Sequence, residues 1–211
     1  MNNTFDSVDE HIEPNAWVCE GPTPGTNIIT DSIITVGQFE LISEKEFKKC
    51  VNDACIFNED YDAICNSYYR EKDSFLPTRS TAGSAGYDFK AFRDYTILPK
   101  SEIRIHTFVK CKIKPGWMLA MFPRSGLGFK YGVRLSNTVG IIDSDYYGCE
   151  ANEGHIMCKL VNPSDKRIEI HRGDKYCQGI FIPYGITLND SQDQKSTRSG
   201  GFGSTDSSSS N

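Results

Sequence analysis

The hydrophobic pattern of the chain changes near residue 76, where short apolar runs begin to alternate with turn residues. Gly, Pro, Asn and Asp separate these runs, which are Tyr95–Leu98, Ile103–Val109, Trp117–Phe122, Ile156–Val161, Ile168–Ile170 and Gln178–Ile182. Short strands at such spacing predict an antiparallel β-barrel or sandwich. The runs do not alternate with long helical patterns, which argues against Rossmann and P-loop architectures.

The preceding residues have a different pattern. Residues 1 to about 30 are polar and contain several prolines, which predicts an irregular arm. Ile33–Val36 and Phe39–Ile42 predict two short strands. Ser43 followed by Glu46 resembles a capping box, and apolar residues then recur at helical spacing, which predicts one or two helices up to about residue 70.

These patterns divide the chain into three parts. Residues 1–75 form an N-terminal extension with the arm, a first strand and a helical insert. Residues 76–190 form the β-barrel. Residues 191–211 are predicted to form a flexible C-terminal lid that carries the glycine-rich motif.

Composition and charge narrow the function classes. The chain has 211 residues and a net charge of -5, without the basic face that a nucleic-acid binder would show. No apolar run approaches the ~20 residues of a membrane helix, and no signal peptide is visible. The eight cysteines form no C-x-x-C pair and the four histidines show no metal spacing. We therefore predict a cytoplasmic protein with reduced thiols and structural or surface histidines.

The tail contains the most informative segment, Arg198–Thr205. Its glycines allow backbone N–H groups to approach a ligand closely, and its arginine suits phosphate oxygens. Phe202 offers a flat face for a base, and Ser204 and Thr205 add short donors. Together these residues indicate nucleotide binding, although the segment by itself is equally compatible with a flexible Gly/Ser linker.

Two further segments place polar residues beside strands. Asp88 follows a run of small residues and opens a strand, which by itself indicates a capped turn. Arg124 and Ser125 directly follow the apolar run that ends at Phe122. Arginine and serine at such a position, followed by glycines, predict a helix N-terminus that binds phosphate, and an ordinary turn is the alternative.

The segment Asn137–Tyr146 combines an amide, a carboxylate and an aromatic ring. Asp143 follows two isoleucines, and a partly shielded carboxylate suits a general base. Asn137 offers the donor and acceptor that an imide such as uracil would pair with, and Tyr146 could pack against a sugar. The alternative is a β-turn containing Asp.

Gly173–Gln178 begins with a turn signal and ends where an apolar strand begins. Gln178 at that position requires a hydrogen-bond partner. A phosphate or a metal-bound water is one option, and a neighbouring backbone group is the other.

Taken in their order along the chain, these five segments resemble the five motifs of the trimeric dUTPase family. The motifs are matched by Ala82–Asp88, Pro123–Gly128, Asn137–Tyr146, Gly173–Gln178 and Arg198–Thr205. The similarity extends from about Leu76 to Thr205. It implies a jelly-roll-like all-β subunit that forms a homotrimer with shared active sites. The implied activity is Mg²⁺-dependent hydrolysis of dUTP to dUMP and pyrophosphate.

The resemblance also implies roles for individual residues. Asp143 would activate the water that attacks the α-phosphate, and Asp88 would orient the neighbouring arginine. Mg²⁺ would be held mainly by substrate phosphates and waters, with Gln178 near one of these waters. The tail would close over a neighbouring subunit's site, with Phe202 over the uracil. The residues expected to bind substrate are Arg124, Ser125, Gly126, Asn137, Gly140, Ile142, Tyr146, Gln178, Arg198, Phe202, Gly203, Ser204 and Thr205.

The chain departs from the family pattern after Tyr146. Residues 147–155 form a longer loop, and the arginine that the family carries there is absent. The N-terminal 75 residues also exceed the usual lead. A dCTP deaminase-like or bifunctional nucleotide enzyme is one alternative, although the Thr-Leu-Glu context of the deaminases is missing. A regulatory binder with the same fold and a protein partner is the other alternative.

Overall fold

The structure, a computed structural model, describes residues 34–53, 66, 68 and 70–190. In these residues the chain is mainly β with two short α-helices, as the sequence predicts. The helices are α1 (Glu44–Asp53) and α2 (Ser125–Tyr131). The strands are β1 (Gly37–Leu41), β2 (Thr78–Arg79), β3 (Tyr87–Lys90), β4 (Tyr95–Ile97), β5 (Glu102–His106), β6 (Val109–Ile113), β7 (Trp117–Pro123), β8 (Arg134–Leu135), β9 (Gly140–Ile142), β10 (Met157–Val161), β11 (Ile168–Ile170) and β12 (Lys175–Pro183). Neither helix is long and apolar enough to cross a membrane.

The strands pair antiparallel in four sheets. The largest has the order β2-β3-β12-β7-β9 and a smaller one has the order β5-β10-β8. The remaining two are the pairs β1-β6 and β11-β4. Because many neighbours in these sheets are distant in sequence, segments such as β3 and β12 meet only in the folded chain.

Buried residues of most of these strands form the core, and in β7 three consecutive residues, Leu119–Met121, are buried. Large side chains with less than 2% exposure include Phe89, Ile105, Leu119, Leu160 and Tyr176. Strands such as β4 and β11 bury every second residue, as expected for a sheet with one face on the core. At about 25 cal/mol per Å² of buried apolar surface, this core is the main source of stability.

The N-terminal extension packs on the strands through β1 and α1. Strand β1 pairs along its length with β6, from Gly37 opposite Ile113 to Leu41 opposite Val109. The predicted helix begins where expected, since the Glu46 amide donates to Ser43 Oγ at 3.2 Å. The other half of the capping box is not formed, because the Ser43 amide donates to Glu153 Oε2 at 3.0 Å.

An aromatic cluster joins α1 to the strands. Phe47 stacks on Tyr68 with ring centroids 3.8 Å apart, and it packs edge-on against Phe92 and Phe108. Aromatic contacts of this kind contribute about 0.5–1.5 kcal/mol each beyond area burial. The cluster explains why the apolar face of α1 lies against the strands. The boundary near residue 75 that the sequence suggests stays a prediction.

Two strand predictions differ from the structure. Residues 34–36 precede β1 and are not in a strand, so the predicted run Ile33–Val36 is wrong over its described part. The predicted run Ile103–Val109 is divided into β5 and β6, because Phe108 has a φ of 59°. Thr107 Oγ1 fixes this break by donating to the Ile156 carbonyl at 2.7 Å and accepting from the Val109 amide at 3.1 Å.

Candidate active site

The central sheet brings three of the sequence segments together. In the register of β12, Gln178 lies opposite Asp88 of β3 on one side and Phe122 of β7 on the other. Arg124 follows the end of β7 directly. Three motifs separated by up to 90 residues in sequence therefore meet at one end of the sheet.

Asp88 is the buried centre of this cluster, with 1% of its side chain exposed. Arg124 Nη1 lies 2.8 Å from Asp88 Oδ1, and Lys175 Nζ lies 3.0 Å from Oδ2. Ser80 Oγ donates to Oδ2 at 2.6 Å. Oδ1 accepts no hydrogen bond from the described residues, so Arg124 contacts it as an ion pair.

These contacts keep Asp88 ionised. Burial by itself raises the pKa of this carboxyl group. The hydrogen bonds from Ser80 and Lys175 and the charges of Arg124 and Lys175 outweigh burial, and they hold the pKa below its ordinary value. Arg124 therefore has a fixed anion beside it, which orients the guanidinium group.

Gln178 faces the loop before β3. Its Nε2 lies 3.5 Å from the Pro123 carbonyl, a distance beyond an ordinary hydrogen bond. A Cβ on Gly86 would lie 2.6 Å from Gln178 Oε1, so a side chain at position 86 would displace the Gln178 amide. A neighbouring backbone group therefore satisfies the Gln178 side chain only weakly. The amide remains suited to a further partner.

The segment after β7 forms the predicted helix. Leu127 and Gly128 both donate to the Arg124 carbonyl at 3.1 Å, which makes Arg124 the N-cap of α2. Ser125 and Gly126 form the first turn and are exposed. The side chain of Arg124 therefore turns toward Asp88 while the exposed residues that follow face solvent.

The segment from Asn137 to Ile142 forms a hairpin along β7. The Thr138 amide donates to the Leu135 carbonyl at 3.0 Å, and Thr138 has a φ of 65°. Gly140 pairs with Met121, whose Cβ would lie 3.1 Å from a Cβ at position 140. A glycine at this position lets the hairpin pack tightly on β7.

The hairpin borders a cavity of about 470 Å³. Asn137, Ser136, Met157, Arg104 and Lys159 line it. Its volume is within the range of small-molecule sites. Arg104 and Lys159 were not predicted from the sequence, because their proximity results from the pairing of β5 with β10.

Asp143 follows the buried Ile142, which pairs with Leu119. Asp143 is half-buried and begins a 3-10 turn, since the Tyr146 amide donates to its carbonyl at 3.2 Å. Tyr146 is only 3% exposed, and its hydroxyl donates to the His155 carbonyl at 2.9 Å. Little of the Tyr146 ring is left to contact a sugar in this conformation, and its predicted role stays a prediction.

Asp143 and Arg124 lie toward opposite ends of β7. Ile142 is opposite Leu119, four residues before Pro123, which corresponds to about 13 Å along an extended strand. Asp143 lies one residue beyond Ile142, and Arg124 lies one residue beyond Pro123. The structure therefore does not bring the predicted base and the predicted phosphate ligands of one chain together.

Other predicted residues lie outside the described part of the chain. The tail residues Arg198, Phe202, Gly203, Ser204 and Thr205 all fall in this group. Two side chains near Asp88 were not predicted as site residues, although they lie within or beside the sequence motifs. Lys175 belongs to Gly173–Gln178, and Ser80 lies two residues before Ala82–Asp88, but sequence alone did not reveal that they converge on Asp88.

One cluster has the composition of a metal site. The ligand atoms of Cys50, His106 and His155 lie within 4.8 Å of one another. His155 Nε2 accepts a hydrogen bond from the Phe108 amide at 3.0 Å, so the ring proton must be on Nδ1, which faces Cys50 Sγ at 3.3 Å. A metal at Nδ1 would require a proton on Nε2 opposite an N–H donor. The residues therefore fit a hydrogen-bonded cluster better than a metal site.

The described cysteines agree with the prediction of reduced thiols. Cys50, Cys111, Cys149, Cys158 and Cys177 are all free and buried. The Sγ atoms of Cys158 and Cys177 are 3.5 Å apart without a disulfide bond. The remaining cysteines lie outside the described residues.

Comparisons with known proteins agree on one family. A family model described as dUTPase matches residues 72–206. A deoxyuridine 5'-triphosphate nucleotidohydrolase of Lactococcus lactis is 38% identical over 137 residues, which are 65% of this chain and 91% of the relative. A protein of that name from Wigglesworthia glossinidia brevipalpis is 40% identical over 115 residues, covering 53% of this chain and 71% of the relative.

A solved structure supports the same assignment. The crystal structure of a dUTPase from Streptococcus mutans superposes with a TM-score of 0.53 and 32% identity, covering 71% of this chain and 97% of that one. The family model begins at residue 72, so β1 and α1 lie outside the matched region.

Proposed function

The chain belongs to the dUTPase family and hydrolyses dUTP to dUMP and pyrophosphate, and on this premise we propose that Asp143 is its general base. The observation that carries the proposal is the fixed position of Asp143, between a strand paired with β7 and a 3-10 turn. A carboxylate held in this way can accept a proton from water as the water attacks the α-phosphate. Positioned general-base catalysis typically contributes about 10²–10⁴-fold.

The phosphate chain binds at the other end of β7. Arg124 supplies the charge, and its guanidinium group is oriented by Asp88 at 2.8 Å. Ser125 and Gly126 are exposed beside it, and the Gln178 amide lies on the neighbouring strand. Cations and amide donors at this position balance the charge that builds up on the leaving pyrophosphate.

The nucleoside binds along the hairpin. Asn137 borders a cavity of about 470 Å³, and its side-chain amide can pair with the imide edge of uracil. Gly140 and Ile142 belong to the same hairpin and lie between Asn137 and Asp143 in the sequence. Tyr146 follows Asp143 by three residues, and exclusion of a 2′-hydroxyl by its ring would require the ring to become more exposed than the 3% seen here.

A homotrimer with active sites shared between subunits explains how one substrate can contact both Asp143 and Arg124. Asp143 and Arg124 of one chain are separated by six residue positions along β7, or about 20 Å. One triphosphate cannot contact both within a single subunit. The hairpin of one subunit would therefore face the phosphate ligands of another, and the tail with Arg198, Phe202, Gly203, Ser204 and Thr205 would cover the site.

The donor set fits magnesium that arrives with the substrate. Asp88, the buried acid of the phosphate cluster, is already paired with Arg124 and Lys175, so its oxygens are not open to Mg²⁺. Mg²⁺ commonly binds through substrate phosphates and keeps several waters. When bound, it would neutralise charge on the phosphate oxygens, and Gln178 would contact one of its waters.

The substitution Asp143→Asn tests the proposed base. We expect kcat for pyrophosphate release from dUTP to fall at least about 10²-fold, because an amide cannot accept the proton. Calorimetry with a non-hydrolysable dUTP analogue should show binding within a few-fold of wild type. Asp145→Asn is the matched control, since the same change at an exposed position two residues away should leave kcat unchanged. An Asp143→Asn variant that keeps more than a tenth of wild-type kcat would contradict the assignment.

A further inference from the structure

We propose that Glu153 is a positioning residue for Asp143, and that it acts by fastening the loop after Tyr146 to the N-terminal extension. The proposal rests on the proposed function, because it requires Asp143 to be the base. It gives a role in catalysis to two features outside the family pattern, the long loop of residues 147–155 and the extension. The contacts form a continuous chain from α1 to Asp143.

The first link joins the extension to the loop. The Ser43 amide donates to Glu153 Oε2 at 3.0 Å, and Ser43 Oγ donates to Glu153 Oε1. Lys110 Nζ lies 3.3 Å from Glu153 Oε2. Further along α1, Lys49 Nζ donates to the Ala151 carbonyl at 2.9 Å. One carboxylate thus links the start of α1, strand β6 and the loop.

The charge of Glu153 strengthens this link. Burial raises the pKa of the Glu153 carboxyl group, but the bonds from Ser43 and the proximity of Lys110 outweigh it and lower the pKa. Hydrogen bonds to an ionised acceptor are roughly twice as strong as neutral ones.

The second link runs from Glu153 back to Tyr146. Glu153 has a φ of 60°, its amide donates to the Cys149 carbonyl at 2.8 Å, and its carbonyl accepts from the Gly148 amide at 3.0 Å. A Cβ on Gly154 would lie 2.5 Å from the Tyr146 carbonyl oxygen. The backbone after Glu153 therefore packs directly against the backbone of Tyr146.

Side-chain hydrogen bonds within the same loop also hold Tyr146 in place. Asn152 Nδ2 donates to the Tyr146 hydroxyl at 2.8 Å, and this hydroxyl donates to the His155 carbonyl at 2.9 Å. Asn152 Oδ1 accepts from the Gly154 amide at 3.2 Å. Because these groups belong to the loop that Glu153 anchors, a shift of the loop moves Tyr146.

The last link is the 3-10 turn. The Tyr146 amide donates to the Asp143 carbonyl at 3.2 Å, so the turn carries any movement of Tyr146 to Asp143. Strand pairing fixes Ile142 on the other side of Asp143. The position of Asp143 therefore depends on the turn as well as on the strand, and misplacement of a catalytic group by about 1 Å can cost 10²-fold in rate.

The substitution Glu153→Ala tests the proposal by separating kcat from binding. We expect kcat per site to fall about tenfold, with the binding-site number taken from calorimetric titration with a non-hydrolysable dUTP analogue. The dissociation constant of the analogue should change less than about threefold, because the phosphate ligands are not touched. Glu153→Gln, which keeps an acceptor for Ser43, should have an intermediate kcat.

Two controls distinguish positioning from general stability. Glu150→Ala removes the same charge from an exposed position in the same loop and should leave kcat unchanged. In an Asp143→Asn background, Glu153→Ala should lower the residual kcat less than about twofold, since a positioning residue has no effect once its target is lost.

Defined outcomes would overturn the proposal. An unchanged kcat per site in Glu153→Ala, even with a lower melting temperature, would show a purely structural role. A further tenfold loss in the Asp143→Asn background would show that Glu153 does not act through Asp143. If Asp143→Asn alone keeps full turnover, the base assignment itself fails, which separates this result from a failure confined to Glu153.

Discussion

Replacement of Asp88 by Asn tests how the buried cluster of the phosphate site is held together. Asp88 Oδ1 faces Arg124, and Oδ2 faces Ser80 and Lys175. An asparagine must place its NH₂ group on one of these two sides. In either orientation a donor then faces another donor, so Asn cannot reproduce the native contacts although it has the same shape.

The contacts of Asp88 determine how much stability the substitution removes. Removing one partner of a fully buried ion pair costs about 3–5 kcal/mol. Arg124 and Lys175 remain 32% and 40% exposed, so water can solvate them after the substitution and reduces the cost. We expect the free energy of unfolding to fall by about 2–3 kcal/mol. For a chain of this size the melting temperature should fall by about 5–10 °C.

The stability lost in Asp88→Asn should be larger at neutral pH than at acidic pH. The pKa of Asp88 is lower in the folded chain than its unfolded value of about 3.9, so its contribution is fully present above that value. It is lost as the pH falls through the depressed folded pKa. The difference in melting temperature between wild type and Asp88→Asn should therefore be largest near neutral pH and shrink below about pH 4.

Differential scanning calorimetry from pH 7 to pH 3.5, at one protein concentration and ionic strength, measures this difference. Asp165→Asn is the matched control, because Asp165 pairs with Lys100 at 3.2 Å while 91% exposed, and such pairs contribute less than about 1 kcal/mol. A shift below 2 °C at pH 7 for Asp88→Asn, or a shift equal at pH 7 and pH 3.5, would refute the reasoning.

Two further predictions concern the loop after Tyr146. Gly154→Ala should lower the free energy of unfolding by at least about 2 kcal/mol in denaturant melts, because Gly154 has a φ of 83° and its Cβ would lie 2.5 Å from the Tyr146 carbonyl oxygen. A loss below 0.5 kcal/mol would be inconsistent with that packing. Burial and the charge of His106 lower the pKa of His155 to about 3, so protonation of the unfolded chain should reduce stability as the pH falls below about 6.5. His155→Gln should lessen this decline, by up to about 1.4 kcal/mol per pH unit, and an identical pH profile would contradict the prediction.

Local sequence signals predicted those elements that depend on local interactions. The start of α1 at Glu44 followed from Ser43 and Glu46, and the helix after β7 followed from Arg124 and the glycines behind it. The division of the run Ile103–Val109 was not predicted, because the φ of 59° at Phe108 accompanies a bond from Thr107 to the carbonyl of Ile156, just before β10. The same limit applies to the cavity, since Arg104 and Lys159 become neighbours only when β5 pairs with β10.

The sequence by itself determined the all-β class, the order of the motifs and the identity of the acids and cations in them. These depend on periodicity, turn chemistry and residue type, which each segment carries without its partners. Only the tertiary structure decided that Ser80 and Lys175 share Asp88 with Arg124, and that Asp143 lies at the far end of β7. It also decided that Glu153 completes the start of α1 in place of Glu46. The physical reason is that strand pairing joins residues far apart in sequence, and one segment contains no information on the register of its partner.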